Sequence, residues 1–293
     1  MVGRSMEKRH PVLERLARGQ SVVLDGGVAA ELARRGYRPT GPLRDAAAAR
    51  EVPELLGEIH RAYVDAGVDV VSAFTDHTTT RALSRGGLGM RAAALTHRAV
   101  DLALDAVQGC PRPVAVAGVL AALEDAGHTP TPRTLADEHT EQAERLASTG
   151  CSLLIVNAMP TLVETLAATA AARAVRQVVW ATLALKNRSE LMDGAPVDLA
   201  ASHVAAIGAQ VILLEGPNAE ELSATVARLT GLALGVPLGI RAAPSSPTAT
   251  PERFAAEMNG AMQRGVRVVG GSRGATPEHV RALGLRLKTR AAA

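Results

Sequence analysis

Residues 197–216, VDLAASHVAAIGAQVILLEG, contain the unit on which the predicted fold depends. Positions 197–207 belong to a helical pattern, and Gly208 ends it, as glycine commonly does at the C-terminus of a helix. The following run, 209–216, is almost continuously apolar up to Glu215. Strands that are covered on both faces have this composition, so the run predicts a strand inside a parallel sheet.

The same alternation of apolar run and helical pattern occupies most of the chain. Further strands are predicted at 21–25, 68–74, 113–120, 152–158, 177–185, 237–242 and 266–271. Further helices are predicted at 53–66, 88–108, 132–149, 161–174, 218–230, 251–264 and 277–288. Gly67, Gly150 and Gly265 end helices just before strands, as Gly208 does. Eight strands, each followed by a helix, in 293 residues predict a single (β/α)8 TIM barrel, with a doubly wound open sheet as the alternative.

The chain shows no break in composition that would mark a domain boundary. Residues 1–293 are therefore predicted to form one domain, with frayed ends at residues 1–10 and 289–293. Two segments, 37–50 and 243–250, are predicted as loops at the carboxyl ends of strands.

Composition argues against several classes of protein. Hydrophobic residues make up 47% and charged residues 21%, which permits a large core and excludes general disorder. Aromatic residues make up only 2%, and basic and acidic residues are interspersed, so we expect no nucleic-acid partner. No apolar run reaches the roughly 18 residues that span a bilayer, and the charged N-terminus lacks a signal-peptide pattern. We therefore expect a cytoplasmic protein that binds no membrane and acts on a small molecule.

Polar residues stand at the predicted strand ends, where a (β/α)8 barrel carries its chemistry. Catalytic roles are predicted for Asp25, Asp76, His77 and Glu215. Substrate-binding roles are predicted for Gly26, Gly27, Thr75, Asn157, Arg241, Ser272 and Arg273.

Each of these side chains has a second interpretation. Asp25 has the chemistry to orient a substrate ammonium group or to act as a base, and the alternative is a carboxylate that caps backbone N–H groups. Asp76 and His77 offer hard oxygen and nitrogen donors for a metal in company with other carboxylates, and the alternative is a solvated loop. Arg241 and Arg273 suit a bound carboxylate or phosphate.

Histidines outside this group are treated separately. His128 follows the third strand in a polar loop, where it suits either a general acid or base or a surface residue. The histidines within helices are predicted to lie at the surface or the rim: His60, His97, His139, His203 and His279.

Four motifs, in order along residues 21–285, resemble those of the homocysteine S-methyltransferase family. LDGGVAAELARRG from Leu24 resembles the family's LDGGxGTxL, and PELLGEIHRAYVDAGVDVVSAFT from Pro53 resembles PExxxxIHxxYxxAGADxIxTNT. HTEQAERLASTGCSLLIVNAMPTLVETLAA from His139 is similar to the family's helix and DLLxxETxPxxxEAxAA. GVRVVGGSRGATPEHVRAL from Gly265 is similar to GAxxxGGCCGTxPxHIxxL. The resemblance implies a (β/α)8 barrel and methyl-transfer chemistry.

The chain departs from that family where the family binds metal. Members hold zinc with three thiolates, and the matching positions are the Glu215-Gly216 pair, Ser272 and Arg273. Cys110 and Cys151 fall in a helix-to-strand loop and at the start of a strand, at the opposite end of the predicted barrel. Because the three thiolate ligands are missing, we expect no metal cofactor. In the family, zinc held by those thiolates binds the acceptor thiol and keeps it as a thiolate. An ion pair between Arg273 and Glu215 is expected in place of the zinc, either as a structural pair or as part of a cation-lined anion site.

Other pocket motifs of the family are replaced as well. The family's TN pair after the second strand corresponds to Ala73-Phe74, and its GSxGP after the third strand corresponds to residues 118–122. Its ET after the fourth strand corresponds to Asn157-Ala158, and its YPN after the seventh corresponds to residues 241–243. These changes predict either zinc-independent methyl transfer from a sulfonium or ammonium donor, or a repurposed reaction in the barrel mouth. S-adenosylmethionine or another methyl donor would then bind as a substrate. The alternative is a catalytically silent barrel that acts as a structural or regulatory partner subunit, and a homo-oligomer is a further possibility.

Overall fold

The computed structural model describes residues 10–38, 43, 47–123, 130–216 and 218–291. Within these ranges the chain forms eight strands. They are β1 Val22–Val23, β2 Val70–Ser72, β3 Ala115–Leu120, β4 Leu153–Val156, β5 Val178–Ala184, β6 Val211–Gly216, β7 Leu238–Ala242 and β8 Val268–Gly271.

Helices precede and follow these strands. The first five are α1 Pro11–Ala17, α2 Val28–Arg34, α3 Ala48–Glu51, α4 Pro53–Ala66 and α5 Thr80–Ser84. A 3-10 turn at Gly89–Arg91 leads into α6 Ala92–Val107. The others are α7 Pro132–Ala147, α8 Leu162–Ala174, α9 Val197–Ile207, α10 Ala219–Thr230, α11 Pro251–Gln263 and α12 Pro277–Ala291.

The strands form one parallel sheet that closes on itself. Their order is β1-β8-β7-β6-β5-β4-β3-β2, and every pair is parallel. A bridge between Leu24 and Val70 joins the first strand to the second. The Asp69 carboxylate supports this junction, because its Oδ2 accepts a hydrogen bond of 2.9 Å from the Val23 backbone N–H. The predicted (β/α)8 barrel is therefore confirmed, and the open-sheet alternative is excluded.

Alternate residues of each strand face the inside of the barrel. The interior contains a buried apolar cluster that includes Leu24, Ile155, Trp180 and Leu213. Helix α1 packs against this cluster at the amino ends of the strands through Val12, and so closes that end. Apolar side chains thus fill the lower part of the barrel, and the polar residues lie above them at the carboxyl ends.

Helix termini follow the glycine pattern seen in the sequence. Gly67, Gly150, Gly208 and Gly265 all have positive φ angles, between 89° and 109°, at the turns that lead into strands. A left-handed residue of this kind ends a helix at little cost only when it is glycine. The predicted helix boundaries agree with the structure to within a few residues because of these stops.

Some local predictions need correction. The segment 37–50, predicted as a loop, includes the start of α3 at Ala48. Helices α1, α2 and α5 were not predicted, since they are short and follow or precede segments without a long apolar period. Helix α12 extends to Ala291, and the fraying expected at residues 289–293 stays a prediction. Residues 1–9 and 292–293 lie outside the described residues, as does His128.

Three helical histidines are buried, and the prediction of a surface or rim position is wrong for them. His60 and His139 are fully buried, and His279 is 9% exposed. His139 lies 3.2 Å from the buried Glu164 carboxylate, and His279 contacts the Ala249 carbonyl at 3.1 Å. These contacts with neighbouring elements favour the buried positions of His139 and His279, and the helical period alone does not reveal such partners.

Within the described ranges, no helix combines the length and the apolar character needed to cross a membrane.

Candidate functional site

Close backbone packing between the first and last strands shapes one side of the barrel mouth. A Cβ atom added to Gly26 would lie 2.4 Å from the Ala275 carbonyl oxygen and 2.7 Å from the Tyr63 hydroxyl. One added to Gly271 would lie 2.3 Å from the Ala275 Cβ, and one added to Gly27 would lie 3.0 Å from the Ser272 carbonyl oxygen. These glycines are needed for packing, and a role for Gly26 and Gly27 in substrate binding stays a prediction.

Asp25 is fully buried at this side of the mouth. Its Oδ2 accepts a hydrogen bond of 2.6 Å from the Ser72 backbone N–H, and its Oδ1 accepts one of 2.9 Å from the Ser72 hydroxyl. Burial raises the pKa of Asp25 to about 6, and the Ser72 hydrogen bonds and the positive charge of Arg241 oppose that rise. A carboxyl group with this pKa can exchange a proton near neutral pH.

Four of the predicted site residues form a continuous polar chain across the mouth. Asn157 donates a hydrogen bond of 2.7 Å from Nδ2 to Asp76 Oδ1. Its Oδ1 accepts one of 3.0 Å from Arg241 Nη1. The same Nη1 lies 3.4 Å from Glu215 Oε2, which completes an ion pair between neighbouring strands. The amide of Asn157 is therefore held in one orientation by an acceptor on one side and a donor on the other.

Asp76 stands at one end of this chain. Burial raises its pKa, and the negative charge of Glu215 acts in the same direction. Attraction to His77 and Arg241 and the hydrogen bond from Asn157 oppose that rise. The two acidic groups at the mouth with raised pKa values, Asp25 and Asp76, are both near the guanidinium of Arg241.

Thr75 takes part in the barrel wall. Its hydroxyl is fully buried, donates to the Val119 carbonyl at 2.8 Å and accepts from the Val119 N–H at 3.0 Å. This double contact ties the end of β2 to β3 and occupies the donor of the hydroxyl. Thr75 thus anchors the start of the segment that carries Asp76 and His77, and its substrate-binding role stays a prediction.

A cleft of about 480 Å³ opens beside the polar chain. Glu215, Ser272 and Arg273 supply its polar wall. The apolar wall includes Met159, Leu185 and Met192 together with Ala122, Ala158, Pro160, Ala184 and Ala243. A volume of this size suits a small organic molecule.

The predicted pairing of Arg273 with Glu215 is wrong. Glu215 faces Arg241, whereas Arg273 is exposed at the edge of the cleft. Residues 215 and 241 are directly opposite each other in the β6–β7 register, which places their side chains on the same face. Arg273 lies beyond the end of β8, so that its side chain is free to reach into the cleft or out of it.

Two residues outside the predicted site also contribute to this region. Ser72 provides both hydrogen bonds to Asp25, and its signal is its place as the last residue of β2. Thr182 is a fully buried threonine on β5, inside an otherwise apolar run. A lone hydroxyl in such a run indicates a polar contact inside the barrel.

The thiolate ligands that the family resemblance implies do not fit this mouth. Cys151 is buried at the amino end of β4, where its Sγ contacts the Leu146 carbonyl, and Cys110 follows helix α6. The guanidinium of Arg241 already lies against the carboxylate of Glu215. Among the residues that the structure describes, no group of three or more His, Cys, Asp or Glu side chains is placed to hold a metal ion.

The chain is similar in sequence to known methyltransferases. The homocysteine S-methyltransferase of Escherichia coli (strain K12) is 28% identical over 244 residues, which cover 73% of this chain and 76% of that protein. Betaine–homocysteine S-methyltransferase 1 of Danio rerio is 38% identical over 94 residues, or 31% of this chain and 23% of that protein. The chain thus aligns with only about a quarter of the length of the betaine-dependent relatives.

Comparison with solved structures supports the fold. The homocysteine methyltransferase MmuM from Escherichia coli, in its metallated form, superposes with a TM-score of 0.83 at 24% sequence identity. The alignment covers 94% of this chain and all of that one.

The prediction that the protein has no metal cofactor is contradicted by these findings. A homocysteine methyltransferase with the same fold was solved in a metallated form, so a metal belongs to the chemistry of these relatives. The prediction inferred the loss of the cofactor from the missing cysteines. The absence of one type of ligand does not by itself establish the absence of a metal.

The family assignment itself comes from the whole chain. The sequence profile of the family described as homocysteine S-methyltransferase matches residues 22–287, which run from β1 into α12. The motifs, the barrel and this match agree. The chain belongs to the homocysteine S-methyltransferase family.

Proposed function

We propose that the protein transfers a methyl group from a sulfonium or quaternary ammonium donor to a small acceptor in the cleft at the barrel mouth. The observation that carries the proposal is the charge of the mouth. Asp25, Asp76 and Glu215 lie around the guanidinium of Arg241. An excess of carboxylate in a partly desolvated cleft attracts a cationic donor more strongly than the same charges would in water.

The transfer needs a positive donor and an acceptor with a lone pair. The acceptor attacks the methyl carbon, the bond from that carbon to the sulfonium sulfur or ammonium nitrogen breaks, and the donor leaves as a neutral thioether or amine. The acceptor then gives up a proton if it entered as a thiol or hydroxyl. Carboxylates along the path stabilise the charge of the donor and orient it towards the acceptor.

Asp25 is the proposed acceptor of that proton. Its pKa of about 6 leaves it mostly ionised at neutral pH, yet basic enough to bind a proton. The hydrogen bonds from Ser72 hold the carboxylate in place. Arg273, at the edge of the cleft, is the proposed partner for a carboxylate of the donor or acceptor.

The test is a methyl-transfer assay on the purified protein. L-homocysteine is incubated with S-adenosylmethionine or glycine betaine, and the methylated product is measured by mass spectrometry. Variants Asp25→Asn and Glu215→Gln are expected to lose at least tenfold in rate. Glu144→Gln, on the exposed face of helix α7, is the matched control and is expected to retain the wild-type rate.

Two results would contradict the proposal. The first is the absence of turnover with either donor in a protein that is folded by thermal melting, which favours the silent-barrel alternative. The second is turnover that Asp25→Asn and Glu215→Gln leave unchanged, since the chemistry would then lie outside this mouth.

A further inference from the structure

Three polar atoms inside the barrel lack a hydrogen-bond partner among the described residues. They are Trp180 Nε1, Thr182 Oγ1 and Arg241 Nε, and all three are buried. Trp180 belongs to the interior cluster, and Thr182 lies two residues further along β5 on the same face. Buried donors are nearly always paired in proteins, so unpaired ones inside the barrel indicate a position that a ligand or water fills.

Strand order brings two of these atoms into one region. Arg241 Nη1 contacts Asn157 beyond β4 and Glu215 on β6, and β5 lies between those two strands. The guanidinium therefore lies in front of the inner face of β5. Residues 156 and 181 are register partners, which places Thr182 at the level of Asn157. The Thr182 side chain and the guanidinium of Arg241 thus belong to the same part of the interior.

Charge decides what such a site accepts. The positive charge of Arg241 is already balanced by Glu215 at 3.4 Å, and Asp25 attracts it as well. A further anion would meet these carboxylates in a desolvated space, and that is unfavourable. A neutral oxygen can accept hydrogen bonds from both donors without adding charge.

We propose that Thr182 and Arg241 form a subsite for a neutral oxygen atom, a hydroxyl or carbonyl, on the methyl acceptor. This inference rests on the proposed function, because it assigns the end of the acceptor that enters the barrel most deeply. A methyl group accepts no hydrogen bond. The subsite therefore favours an acceptor that carries oxygen at this position over the analogue that carries a methyl group.

The test uses the single tryptophan of the chain as a reporter. Trp180 lies roughly 7 Å from Thr182 along the strand, so its fluorescence responds to a ligand at the subsite. L-homoserine is titrated against L-2-aminobutyrate, which lacks only the hydroxyl, and calorimetry measures the same affinities independently. We expect homoserine to bind about tenfold more tightly, the value of one good hydrogen-bonded contact.

Variants show whether the preference comes from this subsite. Thr182→Val, which keeps the shape of the side chain, should reduce the preference for homoserine to less than threefold. Thr182→Ser restores the hydroxyl and should restore the preference. Arg241→Lys removes the Nε–H donor and should act as Thr182→Val does. Thermal melting confirms that each variant is folded.

Several outcomes would overturn the inference. These are equal affinity for the two probes in the wild type, binding of neither probe, or a preference that survives Thr182→Val and Arg241→Lys. Each would mean that the region holds water only. The methyl-transfer assay separates this result from the proposed function: a homoserine preference without turnover leaves the subsite in place, and turnover without the preference removes only the subsite.

Discussion

The carboxylate of Asp25 accepts two hydrogen bonds from Ser72, at 2.6 Å from the backbone N–H and 2.9 Å from the hydroxyl. Both bonds cross from the end of the first strand to the end of the second. The same contact therefore orients a predicted catalytic group and helps to close the barrel. Four predictions test this contact and others around it.

The first prediction concerns the stability of the protein as a function of pH. Burial raises the pKa of Asp25 from 3.8 to about 6, so the native state binds this proton more tightly than the unfolded state does. The resulting stabilisation is complete below about pH 4 and is lost as the pH rises through 6. At about 1.4 kcal/mol per pKa unit, the effect amounts to about 3 kcal/mol.

The substitution Asp25→Asn removes the titrating carboxyl group, and with it this pH dependence of stability. The free energy of unfolding of the variant, minus that of the wild type, should rise by up to about 3 kcal/mol between pH 4 and pH 7.5. Urea unfolding at both pH values measures this difference. Asp137→Asn, on the exposed face of α7, is the control and should give the same difference at both values. A flat result for Asp25→Asn would show that the buried carboxyl is not linked to folding.

The second prediction concerns the polar chain across the mouth. Asn157→Leu removes the acceptor of Arg241 Nη1 and the donor to Asp76. We expect the free energy of unfolding to fall by about 2 kcal/mol, since buried polar groups lose their partners. Asn187→Ala, in an exposed turn, is the control and should lower the free energy of unfolding by about 1 kcal/mol or less. Equal effects of the two variants would mean that the chain adds nothing to stability.

The third prediction concerns the segment that follows β3. Glu164, on helix α8, is buried, and its Oε1 accepts a hydrogen bond of 2.6 Å from the Leu123 N–H while His139 lies 3.2 Å away. Glu164→Leu should destabilise the protein by about 2 kcal/mol and speed hydrogen exchange at the Leu123 amide. Glu164→Gln keeps an acceptor and should show a smaller effect on both. If both variants exchange the Leu123 amide at the wild-type rate, the carboxylate does not hold this segment.

The fourth prediction compares two glycines. Gly271→Ala places a Cβ 2.3 Å from the Ala275 Cβ and 3.0 Å from the Gly26 Cα, so the strand ends must move apart. We expect a loss of about 2 kcal/mol or more in stability, because the backbone on one side cannot yield. Gly260→Ala, inside helix α11 with open space around it, should instead stabilise by about 0.5–1 kcal/mol. Urea unfolding of both variants tests the opposite signs, and a shared sign would contradict the packing argument.

The sequence was sufficient for the barrel because its signals are local. Apolar runs such as 209–216 mark strands, and glycines such as Gly208 mark the stops before them. Strand ends then place polar residues in one mouth, and the structure does join Asp76, Asn157, Arg241 and Glu215 there.

Pairings between distant residues could not be read in this way. Glu215 pairs with Arg241 and not with Arg273, because register between β6 and β7 sets the contact. His139 is buried because Glu164, on another helix, offers it a partner. The sequence places Thr182 as a polar residue at the end of the fifth strand, but only the barrel interior shows that its hydroxyl is unpaired among the described residues. Such contacts depend on three-dimensional neighbours and carry no period in the sequence.

The closure of the barrel also sets a time at which the mouth can form. Strand β1 pairs with β8 through Val22 and Val268, so the first of these partners leaves the ribosome before all the strands that lie between them in the sequence. Until β8 is made, a nascent chain cannot bring Gly271 against Gly26. The arrangement that surrounds Asp25 is therefore completed only after β8 has been made, and a nascent chain that stops before β8 should lack the complete mouth while it already carries most of the helices.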